Sequence, residues 1–191
     1  MKKTLCLLLA LLLTLSGCGG RGETPDASPT VTPQVDDTIE SGESESCIPD
    51  FATTDLEGNT VTQDVFLGKD LTVVNVWGTY CGPCINEMPE LGEWAAELPD
   101  NVQLLGVVCD LVTGDEGETL ELARDIVART GADYTSIAMC DDLAWLAYSI
   151  EGVPTTFFVN GNGEIVGQAI LGAYVDQYKA QVEELLDGNA G

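Results

Sequence analysis

The chain has 191 residues, with 32 acidic and 7 basic side chains and a formal net charge of −25 at pH 7. That balance leaves little with which to neutralise phosphates, so nucleic acid is excluded as a partner; the acidity reads as a solvated surface that resists self-association. There is no histidine, which removes histidine-dependent triads, histidine-ligated metals and histidine proton transfer.

The chain opens Met1-Lys2-Lys3, continues with an apolar run from Leu5 to Leu15, and reaches Leu15-Ser16-Gly17-Cys18. A charged start, a short apolar stretch and a small-residue cleavage site make a signal-peptide pattern. The apolar run is about half the roughly 20 residues that span a bilayer. Leu-Ser-Gly-Cys resembles the lipobox of bacterial lipoproteins. That resemblance implies removal of residues 1–17 and lipid on Cys18, which would hold the chain on a membrane. The alternative is an ordinary signal peptide in which Cys18 is a bystander.

Residues 19–46 are rich in Gly, Pro, Ser, Thr and acid and nearly empty of apolar side chains. Such a stretch cannot bury enough surface to offset its ordering entropy. Together with Cys18 it reads as a lipidated, disordered acidic tether over 18–46, with an end-to-end distance of about 30 Å. Residues 47–191 then suit one globular domain.

That domain begins at Ile48-Pro49-Asp50-Phe51. Gly58-Asn59, between short β-prone runs, predicts a hairpin. Leu71 to Trp77 is almost continuously apolar, as expected of a strand buried on both faces. After Cys81 the period lengthens, and Ile85, Met88, Leu91, Ala95 and Leu98 share a helical face, with Pro89 inside the helix. A second buried strand is predicted over Val102 to Val108, and a second helix with Leu120, Ala123, Ile126, Val127 and Thr130 on one side. Tyr134 to Met139 reads as extended and Asp141 to Ile150 as helical. Strands over Thr155 to Asn160 and Glu164 to Ile170 flank a Gly161-Asn162-Gly163 turn. Tyr174, Tyr178, Val182 and Leu185 mark the last helix. This order predicts a layered α/β domain with parallel strand pairs and a closing antiparallel hairpin, hence a mixed sheet.

Cys81 follows a strand and precedes a helix, so it lies at the carboxyl edge of the sheet. Free N–H groups and the helix dipole there stabilise an anion, and the thiolate is the form that attacks a disulfide. Cys84, one turn into the helix, can return to Cys81 and resolve a mixed disulfide. Cys-Gly-Pro-Cys, with Gly82 and Pro83 between the thiols, thus has the parts for two-electron exchange. Two other readings compete. A zinc site needs about four ligands, and Cys109 and Cys140 would have to complete it. A purely structural disulfide here closes too small a loop to stabilise much.

Trp77-Gly78-Thr79-Tyr80-Cys81-Gly82-Pro83-Cys84, followed by Val153-Pro154-Thr155-Thr156-Phe157, resembles the thioredoxin superfamily, and more closely its extracytoplasmic TlpA/ResA-like branch. Pro49-Asp50-Phe51, the Leu56-Glu57-Gly58 turn and Asn160-Gly161-Asn162-Gly163 fit that branch too. The resemblance implies a thioredoxin-like fold: a central mixed sheet with helices on both faces and an added N-terminal β-hairpin. It makes Pro154 a cis proline facing the cysteines, with the Val153 backbone pairing with bound polypeptide. Where cytoplasmic thioredoxins carry a buried aspartate, this chain has Asn75, and Glu87 matches the acid of the ResA-like branch. The resemblance therefore implies that Glu87 assists proton transfer at Cys84; the bland alternative is a surface glutamate. Tyr80 stands where tryptophan is more usual, a change that bears on partner choice.

The function so implied is a membrane-anchored thiol:disulfide oxidoreductase on the outer face of the bacterial cytoplasmic membrane, needing no cofactor. The thioredoxin dipeptide favours a reductant, thioredoxin itself lying at about −270 mV. Electrons would come from a membrane thiol carrier of the CcdA/DsbD kind. Clients would be disulfide-bearing proteins such as apocytochrome c or oxidised methionine sulfoxide reductases. Two rivals stand beside this reading. A thiol peroxidase needs a threonine three residues before its cysteine, whereas Thr79 is two before Cys81. A non-catalytic haem- or partner-binding module would keep the pair as a staple.

Cys109 and Cys140 each follow a predicted strand, and both fall on the edge that carries Cys81. A disulfide between them would contribute about 3.5 kcal/mol by loop entropy and suits an extracellular domain. A second exchange pair and a pair of unpaired buried thiols are the alternatives. Cys47, at the end of the tether, is either free or displaces one member.

Overall fold

The computed structural model describes residues 47–188. The signal segment, Cys18 and the tether lie outside the described residues. No helix among the described residues is long and apolar enough to cross a membrane.

Among the described residues seven strands and four α-helices follow one another as β1 (Ala52–Thr54), β2 (Thr60–Thr62), β3 (Leu71–Trp77), α1 (Gly82–Glu97), β4 (Val102–Val112), α2 (Glu118–Thr130), β5 (Ser136–Met139), α3 (Ala144–Ser149), β6 (Thr155–Asn160), β7 (Ile165–Leu171) and α4 (Val175–Gly188). β1 and β2 form the expected antiparallel hairpin, turning at Gly58 with φ +89°, a conformation glycine adopts without steric cost. The other five make one sheet in the order β5-β4-β3-β6-β7. β3 runs parallel to β4, β4 parallel to β5, and β6 antiparallel to both β3 and β7.

Every residue of β3 is buried, because alternate side chains enter different cores. Leu71, Val73 and Trp77 pack beneath α1, α2 and α4, with Leu91, Ala123, Ile126 and Val182 among their neighbours. Val74 and Val76 point the other way, to Phe51, Phe66, Leu143 and Leu146. Helices therefore cover both faces unequally: three on one, and α3 with the N-terminal segment on the other.

The helical faces differ in detail from the apolar periodicity. On α1 the buried residues are Cys84, Glu87, Met88, Leu91 and Trp94, while Ile85 and Ala95 are only partly covered. The stripe is rotated so that a glutamate lies inside it. α2 ends at Gly131, whose left-handed backbone (φ 69°) lets its N–H bond the Val127 carbonyl.

β4 is longer than expected and irregular. Val108 pairs with Ala138, but the next residue of β5, Met139, pairs with Val112. Cys109 to Leu111 thus bulge out of register. This corrects the placement of Cys109 after the strand, and it also bears on the expected Cys109–Cys140 bond. Cys140 follows Met139 and so lies level with Thr113, four residues past Cys109. Both are free thiols, partly buried on the α3 face, and Cys47 is free and exposed.

At the other end of the sheet, Cys47 bridges Glu164 and the Ile48 N–H donates to the Gly163 carbonyl at 2.8 Å. The domain therefore begins against the β6–β7 turn.

Candidate active site

The loop leaving β3 is fixed before the helix starts. The Thr79 N–H and hydroxyl both donate to the Asp110 carboxylate, at 3.0 and 2.5 Å. Asp110 belongs to the bulge of β4, so the bulge aims a carboxylate that a regular strand would place elsewhere. Gly78 leaves room for Tyr80 to fold back: a Cβ there would come within 2.8 Å of the Tyr80 ring and 3.3 Å of Cys109 Sγ. The Tyr80 hydroxyl lies 3.7 Å from that sulfur, and its side chain is 71 % exposed. Burial pushes the Cys109 thiol up, so it is less readily ionised than an ordinary cysteine.

Cys81 caps α1. Its N–H donates to the Gly78 carbonyl at 3.0 Å, and its sulfur accepts the Cys84 N–H at 3.2 Å. Pro83 sits in the first turn, where a missing N–H costs nothing. Cys81 and Cys84 are disulfide-bonded, with Cα atoms 5.3 Å apart. Both sulfurs are largely covered, while Tyr80, Gly82 and Pro83 form an exposed rim. The Val153–Pro154 peptide is cis, and the Val153 carbonyl oxygen lies 3.4 Å from Cys81 Sγ. Trp77 is fully buried beneath the pair. No group of three or more potential metal ligands lies together among the described residues.

Behind Cys84, Glu87 is 6 % exposed. Its Oε1 accepts from Asn75 Nδ2 at 3.0 Å and its Oε2 from the Tyr178 hydroxyl at 3.1 Å. Asn75 Nδ2 also reaches Thr156 Oγ1 at 3.0 Å. Burial pushes the Glu87 carboxyl up to about 7; the two hydrogen bonds oppose that rise and the neighbouring Glu90 carboxylate adds to it. Beside it, an open cleft of about 580 Å³ runs between α1 and the start of α4, edged by Pro83, Glu87, Glu90, Tyr174 and Asp176.

The structure thus gathers Trp77, Tyr80, Cys81, Gly82, Pro83, Cys84, Glu87, Val153 and Pro154 at one edge of the sheet. Cys109 reaches that edge through Tyr80; Cys140 is not bonded to it. Sequence reasoning missed three members. Asp110 carries no signal, because its role depends on the bulge. Thr156 lies in an apolar strand. Tyr178 counts as one more apolar-face residue in the helical periodicity, and nothing in its spacing shows where the hydroxyl goes.

The AhpC/TSA family pattern matches residues 45–168. Among curated relatives, the thiol-disulfide oxidoreductase ResA of Halalkalibacterium halodurans is 32 % identical over 140 residues, covering 73 % of this chain and 75 % of that protein. The ResA of Geobacillus kaustophilus is 31 % identical over 121 residues, and the match spans 65 % of that relative's length. In three dimensions the chain resembles the thioredoxin domain of a Bacteroides vulgatus thiol-disulfide oxidoreductase, with a TM-score of 0.55 and 24 % identity over 72 % of this chain and 96 % of that one. The chain therefore belongs to the AhpC/TSA family, has its thioredoxin-like fold, and is kin to the ResA thiol-disulfide oxidoreductases.

Proposed function

We propose that the chain reduces disulfides of client proteins through Cys81 and Cys84, from the outer face of the cytoplasmic membrane where lipid on Cys18 holds it. The carrying observation is the place of Cys81: its sulfur caps a helix, accepts a backbone N–H and lies beside the Val153 carbonyl at the cis proline.

In the reduced form, the Cys81 thiolate attacks one sulfur of a client disulfide, and the client's other sulfur leaves as a thiolate. The client backbone pairs along Val153, which holds the mixed disulfide in line. Cys84 then gives its proton to the Glu87 carboxylate and attacks Cys81 Sγ. The Cys81–client bond breaks, the second client thiolate departs, and the Cys81–Cys84 disulfide remains. Two electrons have passed to the client. A dithiol carrier of the CcdA/DsbD kind restores the pair by the reverse exchange. Apocytochrome c with its cysteines oxidised to a disulfide and oxidised methionine sulfoxide reductases are clients of the right chemistry. A peroxidase reading is disfavoured because the Thr79 hydroxyl is committed to Asp110 rather than to Cys81.

Insulin-disulfide reduction tests the chemistry. Cys81→Ser should abolish turnover, and full retention would overturn the assignment. Cys84→Ala should hold clients on Cys81 as mixed disulfides in cells; an empty trap counts against client exchange. The anchor has its own test, since labelled palmitate should enter the wild-type chain and not Cys18→Ser.

A further inference from the structure

The Tyr178 hydroxyl stands at a junction with one hydrogen to give. It lies 3.1 Å from Glu87 Oε2 and 2.5 Å from the Gly172 carbonyl oxygen, and it accepts the Tyr174 N–H at 3.2 Å. A phenol donates one hydrogen bond, so it cannot serve both oxygens at once. Burial pushes its own ionisation up to about 12, so it stays protonated. On the other side, the Gly172 N–H donates to the Pro154 carbonyl at 2.8 Å, and the carbonyl preceding Pro154 faces Cys81 Sγ.

The charge of Glu87 decides which oxygen is served. When Glu87 is ionised, the hydroxyl turns to Oε2 and the Gly172 carbonyl loses its donor. When Glu87 is protonated, the proton belongs on Oε2, because Oε1 already accepts from Asn75. Oε2–H then donates to the Tyr178 oxygen, and the phenolic hydrogen swings to Gly172. In that second arrangement Glu87 Oε2, the phenol and the Gly172 carbonyl each keep a partner.

We propose that Tyr178 is a positioning residue that couples the proton on Glu87 to the proline loop through Gly172. The inference rests on the reading of Glu87 as acceptor of the Cys84 proton. When Cys84 gives up that proton to attack Cys81, it lands on Glu87, the phenol rotates, and Gly172 gains a donor on the residue that holds Pro154. The electron-transfer step and the client groove are thereby linked by one hydrogen, with no net charge placed on the tyrosine.

Other groups facing Glu87 do not replace this link. Glu90 on α1 bears the same charge, and its carboxylate is held by Lys179 of α4 at 2.8 Å. Asp176 edges the cleft and is again acidic. Asn75 and Thr156 come from β3 and β6 and do not titrate. The buried Tyr134 hydroxyl has no hydrogen-bond partner among the described residues, and burial and the Glu87 charge both push its ionisation up. Among the described residues no cation pairs with Glu87.

The test is the pH profile of single turnovers of the full, reduced chain against a fluorogenic disulfide peptide, following the phase in which Cys84 frees the peptide from Cys81. Wild type should show an acid limb set by Glu87, and Glu87→Gln should flatten it. Tyr178→Phe keeps the ring and removes the donor to the carboxylate. It should move the limb up by about one pH unit, a roughly tenfold loss of rate at pH 6 that closes toward alkaline pH. A Phe variant with an unmoved limb, or with one uniform slowing at all pH values, overturns the coupling while leaving Glu87 in its role. A limb that survives Glu87→Gln overturns the Glu87 reading itself, and the coupling with it. If Tyr178→Phe does not fold, carbon-13 NMR of the wild-type chain decides. The Gly172 carbonyl carbon should titrate with the same midpoint as the Glu87 carboxyl carbon; a flat Gly172 signal through that titration overturns the proposal.

Discussion

Glu87 carries the clearest energetic consequence of any one side chain. An ordinary glutamate in an unfolded chain loses its proton near pH 4.5, whereas this one keeps it to about 7. Between those values the folded state binds a proton that the unfolded state has released. The contribution of this group to stability is therefore fully present below about pH 4.5 and is lost as pH rises to about 7, about 3 kcal/mol in all. Glu87→Gln keeps the shape and removes the charge. Urea unfolding of the oxidised variant at pH 4.5 and 7.5 should lack that decline, and the variant should be the more stable chain at the higher pH. An unchanged pH slope would show that Glu87 is not held protonated. Much of the site was legible at this scale. Cys81, Cys84 and Pro154 stand out because their chemistry depends on local spacing. Glu87 could be picked out by its offset from Cys84, but its burial could not, since a glutamate in an apolar stripe looks like a fault in the pattern. Tyr178 and Asp110 were illegible because each acts across more than thirty residues on a partner the sequence does not point to.

Among the elements, α1 crosses the end of α2 at close backbone approach. A Cβ on Gly92 would lie 3.0 Å from the Gly131 carbonyl carbon and 3.1 Å from Ala132 Cα, and closer still to the Gly131 oxygen. Helix propensity alone favours Gly92→Ala by about 1 kcal/mol. The clash is with backbone that cannot yield, because Gly131 caps α2 through Val127. Overpacking of this kind costs about 1–3 kcal/mol, so the variant should be less stable, with a lower urea midpoint. A midpoint at or above wild type would mean that the helices separate freely. The helices and strands themselves were readable from periodicity and turn residues, and their order was correct. The bulge in β4 was not, because Val-Cys-Asp-Leu-Val continues the strand pattern with no break at which to place three unpaired residues. Cys109 lies in that bulge, and it and Cys140 are free thiols in the structure, the unpaired arrangement among the alternatives the sequence left open.

At the scale of the whole molecule, charge is the dominant unbalanced quantity. Against a net charge of −25, the described residues make three ion pairs, all of them partly or largely exposed, and exposed pairs contribute little. Self-repulsion among the carboxylates should therefore weaken the fold at low salt. Raising sodium chloride from about 0.05 M to about 0.5 M shortens the screening length several-fold and should raise the thermal midpoint of the oxidised chain. A midpoint that falls or stays level would mean that the acids are already neutralised by their surroundings. Composition made this property plain before any fold was considered.

The bridge between Cys47 and Glu164 has a mechanical meaning. β3 rises about 3.3 Å per residue, and its seven residues separate the turn beside Cys47 from the loop that ends at Cys81. Were the chain held from residues before Cys47, as proposed, the pull would fall on the base of the sheet, about 20 Å from the sulfurs. Tension along those residues would be borne by the β6–β7 turn, and the reactive pole would swing free to meet whatever approaches from solution.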